Sequence, residues 1–592
     1  MLTAPIEISG QKEISVDNAK PLVFDSGNPF ISTQTLRHTD TFGYEVVSRK
    51  RDDISLTGIP DYIKMLHDNQ MRYAQSELKK HGNNVYVLSN TGLLFLNQGR
   101  FSDAEGLFKK ALGLKKDFYP SLANLAKLYV NQNRYDDALT TYDEIRRMFP
   151  DDLIVLHNIA HVYLKKQDLD KAYDILTQIA GKDNKNASVL NNIGVILIIR
   201  GEYDKAIAKL RHAISNNNNF ANAYNNIGVC YSNKKEHKKA INYYLSAISL
   251  NKNFQVAFKN LAYAYQEIKQ FAKAADILDA YLTHNKPDAE IYDILANSSY
   301  SSKNYDRAAQ QLKNGIKLAV ESNNVKEQSR LYSNLGVVYS SLKSYGEAEK
   351  HYQQAISLYP SVYVPYKNLI QLYLDNHKIA KAKSVIEKAK EIFINNYDLF
   401  IQDATYAYLM EDYSKACEDL KRSIEINPKK GMPYAFLNSL YAEVYNQFDK
   451  AVDIVKEGLR FDPKNTMLIN NIAYTYLLMG NVKEAKDILS KAEEQNDVFL
   501  TATKGLLLIM EGNVQEGELY YNRAATIVSD RKDFYNQIHQ KKNMELGKYY
   551  MRSQEYQTAY RYFKKALSLK SKTTIYKNQT LELIKSISGY MQ

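Results

Sequence analysis

Residues 187–220 read ASVLNNIGVILIIRGEYDKAIAKLRHAISNNNNF, and residues 221–254 read ANAYNNIGVCYSNKKEHKKAINYYLSAISLNKNF. Aligned, the two lines share N-N-I-G at positions 5 to 8, alanine at position 20 and alanine at position 27. The period is 34 residues. A fixed period of this size marks a stacked array, in which each unit buries its apolar face only against its neighbours. Stepping outward keeps the register, with units beginning at Val85, Tyr119, Leu153, Ala187, Ala221, Gln255 and Ala289. It resumes at Ser329 after about six extra residues, an insertion the array tolerates as a local lengthening, and continues at Tyr363, Tyr397 and Gly431. One extra residue in the eleventh unit moves the next start to Thr466, and weaker copies follow near Val498 and Gln540.

Within a unit the apolar spacing predicts two antiparallel helices. Positions 4, 7, 8 and 11 share one helix face, as in Tyr224, Ile227, Gly228 and Tyr231. Position 8 is small (Gly92, Ala126, Ala160, Gly194, Gly228, Ala262, Ala296, Gly336), and position 20 is almost always alanine, as at Ala104, Ala138, Ala172 and Ala206. Small residues there imply close helix approach. Gly99, Gly201, Gly480 and Gly512 fall at position 15, where a left-handed helix end is expected. Ser102, Asp136, Asp170 and Asp204 at position 18 are expected to cap the second helix, Ser102 with Glu105 as a capping box. Pro150, Pro360, Pro428 and Pro463 end their hairpins.

The pattern resembles the tetratricopeptide repeat and covers more than four-fifths of the chain. The resemblance implies an all-α, right-handed α-solenoid of about fourteen hairpins. Its first helices would line an inner groove that binds peptides or protein segments, and its second helices would face outward. The expected organisation is an extended arm at 1–58, a capping helix at 59–84 and a regular block at 85–322. A second block at 323–497, degenerate repeats at 498–573 and a capping helix at 574–592 complete it. The longer seventh and thirteenth repeats are expected either to extend their second helices or to break the array into three rigid blocks.

Position 6 faces the groove in this family. It is Asn90, Asn124, Asn158, Asn192, Asn226 and Asn260 in six consecutive repeats, then Asn334, Asn368 and Asn471 with gaps. Amides both donate and accept, so such a row suits the backbone of an extended peptide. The row is similar to the asparagine ladder in the repeat domain of O-GlcNAc transferase, from which the binding mode alone carries over. The same residues could instead bond neighbouring helices, and both uses stay open at this point. His157 and His161 sit at groove positions 5 and 9, and a pair at that spacing can chelate zinc. Asn158 stands where a metalloprotease would have its glutamate, so they read as polar groove residues rather than a metal site. The two-carboxylate clamp of this family is missing, because Lys259 and Lys367 at position 5 are followed by Tyr263 and Gln371 at position 9.

The net charge of +12 is mild for 592 residues and does not by itself indicate nucleic acid. The lysines at 205, 209, 234, 235, 238 and 239 read as a solvated outer face. Cys230 and Cys417 lie several repeats apart, which excludes a disulfide framework and fits a reducing, cytoplasmic setting. No signal peptide or membrane span is read. No phosphate loop, catalytic triad or CxxC pair is present, so neither catalysis nor a cofactor is expected. The reading is a non-catalytic scaffold or adaptor that binds a peptide or protein segment. The alternatives are a structural subunit of a secretion, pilus or defence assembly, and a regulatory partner of a separately encoded enzyme.

Overall fold

The computed structural model describes residues 71–590 except 73, 493–496, 530 and 571–574. The N-terminal arm expected at 1–58 lies outside the described residues. So does most of the helix expected at 59–84, of which 71–72 and 74–80 are helical. The described chain falls into two compact units, 71–287 and 288–590.

In the unit 71–287, six hairpins follow one another. Their first helices are Val85–Asn97, Tyr119–Asn131, Leu153–Lys165, Ala187–Ile199, Ala221–Asn233 and Gln255–Glu267. Each begins on the first residue of a sequence repeat. Their second helices are Phe101–Leu114, Tyr135–Met148, Leu169–Lys182, Tyr203–Asn216, His237–Leu250 and Phe271–Leu282. The two helices of a hairpin share the core that the spacing outlined. Ala206 and Ala240 at position 20 are buried with Leu210 and Tyr244 at position 24. Position 8 lies directly against position 24. A Cβ on Gly228 would stand 2.4 Å from a ring carbon of Tyr244, and one on Gly194 2.7 Å from Leu210.

The turn is left-handed in every hairpin, whichever residue occupies it. Gly99 and Gly201 have φ of 74° and 77°, and Asn133, Gln167, Lys235 and Lys269 adopt 59–61° at the same position. The hairpin geometry therefore imposes this conformation on residues that resist it by about 1–2 kcal/mol.

Position 18 does not cap. The second helices start two residues earlier than that expectation requires, and Arg100 stands at the N-cap of Phe101–Leu114 without a side-chain cap bond. Ser102 and Glu105 form no capping box, since both lie inside the helix. Glu105 pairs instead with Lys109 and Arg134. The acids at position 18 reach forward to position 14 of the next repeat, giving Asp136–Lys166, Asp170–Arg200 and Asp204–Lys234. Such exposed pairs contribute at most about 1 kcal/mol each, but they repeat along the stack.

The unit 288–590 continues the hairpin plan with three departures. The insertion after the seventh repeat lengthens two helices, Tyr305–Glu321 and Val325–Ser341. The extra residue of the eleventh repeat is absorbed by a π-turn at Leu440–Val444, where the Tyr445 N–H donates to the Leu440 carbonyl at 3.1 Å. One wide turn leaves the helix faces on both sides in register. The thirteenth repeat does not extend its second helix, which is an ordinary 14-residue Val514–Ile527. The surplus lengthens the next first helix, Lys532–Arg552, which buries Ile538 near its start. The last helix is Ile575–Ile587. Among the described residues no helix is long and apolar enough to cross a membrane.

Candidate functional site

First helices of successive repeats also pack on one another, as Val85–Asn97 does on Tyr119–Asn131 and Ala221–Asn233 does on both Ala187–Ile199 and Gln255–Glu267. This places the first helices on an inner wall of the unit 71–287.

The asparagine row runs along the base of that wall. Asn90 is half-buried, whereas Asn124, Asn158, Asn192, Asn226 and Asn260 are no more than 6% exposed. The row is tied together by a second set of amides at position 5. Asn226 Nδ2 donates to Asn191 Oδ1 of the previous repeat at 3.0 Å, and Asn260 Nδ2 donates to Asn225 Oδ1 at 2.9 Å. Asn191 and Asn225 donate in turn to their neighbours Asn192 and Asn226 at 3.2 Å. In the unit 288–590, Asn334, Asn368 and Asn471 are buried too. Asn334 donates to Asp293 at 2.7 Å, and Asn471 donates to the Ala435 carbonyl at 3.2 Å. Adjacent asparagines at positions 5 and 6, as in Asn191-Asn192 and Asn225-Asn226, were the sequence signal for this network.

The chain of amides stops short in repeats two and three. Among the described residues, Oδ1 of Asn124 and Oδ1 of Asn158 are buried without a hydrogen-bond partner. His157 and His161 lie on the same helix as Asn158, and both are half-buried. Burial, then Lys165 and His157, lowers His161 to a pKa of about 4, so its imidazole is neutral at physiological pH. Lys127 is half-buried, and burial lowers its ammonium pKa. Sequence reasoning missed Lys127 and Lys165, because single lysines carry no periodic signal. Asn97, Asn131 and Asn233, at position 13, are exposed. Among the described residues, no group of three or more histidine, cysteine, aspartate or glutamate side chains could hold a metal ion.

The unit 288–590 buries several charged side chains in ion pairs. Asp293 pairs with Arg330, and Lys541 bonds the Tyr474 hydroxyl at 2.9 Å and Glu545 at 3.0 Å. Asp403 is clasped by Lys390 and Lys415. Asp419 lies beside that cluster. Burial, then the Asp403 carboxylate, pushes its pKa up to about 7 against the pull of Lys390 and Lys415. A carboxyl raised in this way holds a proton in the fold but not in the unfolded chain between roughly pH 4 and 7. Stability therefore falls as pH rises through that window, and the cost is fully present above it. Asp419→Asn should raise the apparent Tm at pH 8 and raise it clearly less at pH 5. A thermal scan at both values checks this, and a gain independent of pH would contradict it.

The hairpins, the small-residue contacts and the left-handed turns together define an α-solenoid built from 34-residue units. Models described as tetratricopeptide repeat match residues 95–160, 221–254, 329–362, 468–497 and 543–573, and one described as TPR repeat matches 194–235. The chain is a tetratricopeptide repeat protein. No curated protein matches it significantly. Similar solved structures include a tetratricopeptide repeat protein from Parabacteroides merdae, at 17% identity, covering 43% of this chain and 98% of that one, with a TM-score of 0.36. Another is YrrB, described as a TPR protein with an unusual peptide-binding site, at 18% identity, 31% and 95% coverage and a TM-score of 0.27. A third is the Cut9–Hcn1 hetero-tetramer of APC/C, at 14% identity, 81% and 93% coverage and a TM-score of 0.40.

Proposed function

We propose that this protein is an interaction scaffold whose inner wall in the unit 71–287 receives an extended segment of a partner protein. The observation that carries the reading is the wall's amide lining, from which carboxylates are almost absent. Buried amides form its base, and Asn97, Asn131 and Asn233 stand exposed along its edge. Amides pair with the main chain of an extended segment whatever its side chains are. In this reading the position-6 row holds successive repeats in register. Ligand contact then falls to its accessible neighbours and to Asn124, Asn158, His157 and His161, where the amide chain is incomplete.

The test is the full chain carrying Asn131→Trp and Asn233→Trp. Both sites are exposed, so the fold should be retained while the wall is obstructed. Affinity purification from the native cell with mass spectrometry should then recover partners about tenfold less efficiently. Equal recovery, with an unchanged thermal scan, would move the binding surface off the wall.

A further inference from the structure

The inner wall of the unit 71–287 carries charge of essentially one sign. Its six first helices contain Lys127, Lys165, Lys259, His157 and His161, and a single carboxylate, Glu267, at the far end. The second helices of the same repeats carry both signs, as Asp136, Asp137, Arg146 and Arg147 do on one helix. In the other unit the first helices carry Glu290, Asp293, Asp398 and Asp403. Acidic residues are therefore common in the chain but reduced to one on this wall.

The basic side chains concentrate in repeats two and three. His157, His161 and Lys165 are four residues apart on Leu153–Lys165 and share a face. Lys127 takes the position in Tyr119–Asn131 that His161 takes in the next repeat. Asn124 lies three residues before Lys127, and Asn158 three before His161, so each orphaned amide oxygen is on the face of a cationic or imidazole side chain. A buried acceptor without a donor is unfavourable, and a ligand's N–H relieves it once the amide turns toward the wall's surface. A half-buried ammonium also attracts a carboxylate more strongly than an exposed one does, because the local dielectric is lower.

We propose that repeats two and three select an acidic extended segment of the partner protein, with its carboxylates at Lys127 and Lys165 and its backbone N–H groups at Asn124 and Asn158. The assignment rests on the wall being the binding surface. It favours peptide over nucleic acid, because three lysines on six helices are too few to meet the phosphate that every nucleotide presents.

The test is selection of displayed random peptides, about 16 residues long, on the immobilised full chain. Selected peptides should hold about twofold more aspartate and glutamate than the input. They should also bind Lys127→Gln/Lys165→Gln about tenfold more weakly. Lys165 is exposed and Lys127 half-buried, so this variant should fold, and a matching thermal scan confirms it. The triple variant adding His161→Gln should lose as much or more. Selected peptides without acidic excess that still lose affinity for the variant would keep the wall and overturn the charge assignment. Peptides that bind the variant as well as the parent, or no selected peptides at all, would overturn both. A single-stranded RNA oligonucleotide that displaces the selected peptides at lower concentration than a glutamate-rich peptide would overturn the choice of protein as partner.

Discussion

Gly228→Leu should cost about 3 kcal/mol or more and open the fifth hairpin, since overpacking at a site that cannot relax lies at the severe end of core substitutions. Even a Cβ there would sit 2.4 Å from the Tyr244 ring, which is fully buried and has no room to withdraw. The hairpin can respond only by parting its helices, which exposes Ala240 and Ile241 and loosens the stack on both sides. A nearest-neighbour array need not unfold as one unit, so amide hydrogen exchange is the right measurement. Protection should fall first in 203–267. Gly106→Leu is the control. A Cβ there meets nothing within 4 Å, and the position is exposed on a helix surface, so replacement should be neutral or mildly stabilising. Equal effects at the two sites would contradict the close packing of positions 8 and 24.

Asn226→Ala should cost roughly 3 kcal/mol although it removes no apolar packing. Its Nδ2 donates to Asn191 and its Oδ1 accepts from Asn225, and the residue is fully buried. Truncation breaks both bonds inside the protein, and each group left behind carries a penalty of about 1–3 kcal/mol. Asn90→Ala, at the half-buried start of the row, should cost less than about 1 kcal/mol. Urea titration followed by exchange in 187–233 distinguishes the two. If Asn226→Ala left stability unchanged and weakened only ligand binding, the row would be a recognition surface rather than the wall's internal brace.

These two substitutions mark where sequence legibility ends. Helix starts were readable because the apolar spacing at positions 4, 7, 8 and 11 repeats at a fixed period, and few alternative structures bury such a stripe. The turn was readable at its glycines and hidden at Lys235 or Gln167, whose backbone is forced left-handed by the helices they join. The capping role expected of Asp136, Asp170 and Asp204 failed for a related reason. An acid at a helix start has two uses, and the partner that decided between them, Lys166, Arg200 or Lys234, lies 30 residues further on. The surplus in the thirteenth repeat was visible as length. Which helix took it up depended on Ile538 finding a buried place.

The repeat period, its small-residue positions and the asparagine row were all determined by the sequence alone. Each is a one-dimensional pattern, and stacking identical units turns it into a three-dimensional one without further choice. Which partners the row meets inside the chain was decided only in the tertiary structure. Whether an amide meets a ligand or a neighbouring amide depends on how closely first helices approach across repeats. That spacing brings Asn226 onto Asn191 and Asn260 onto Asn225, and it leaves the amide oxygens of Asn124 and Asn158 unanswered beside Lys127 and His161.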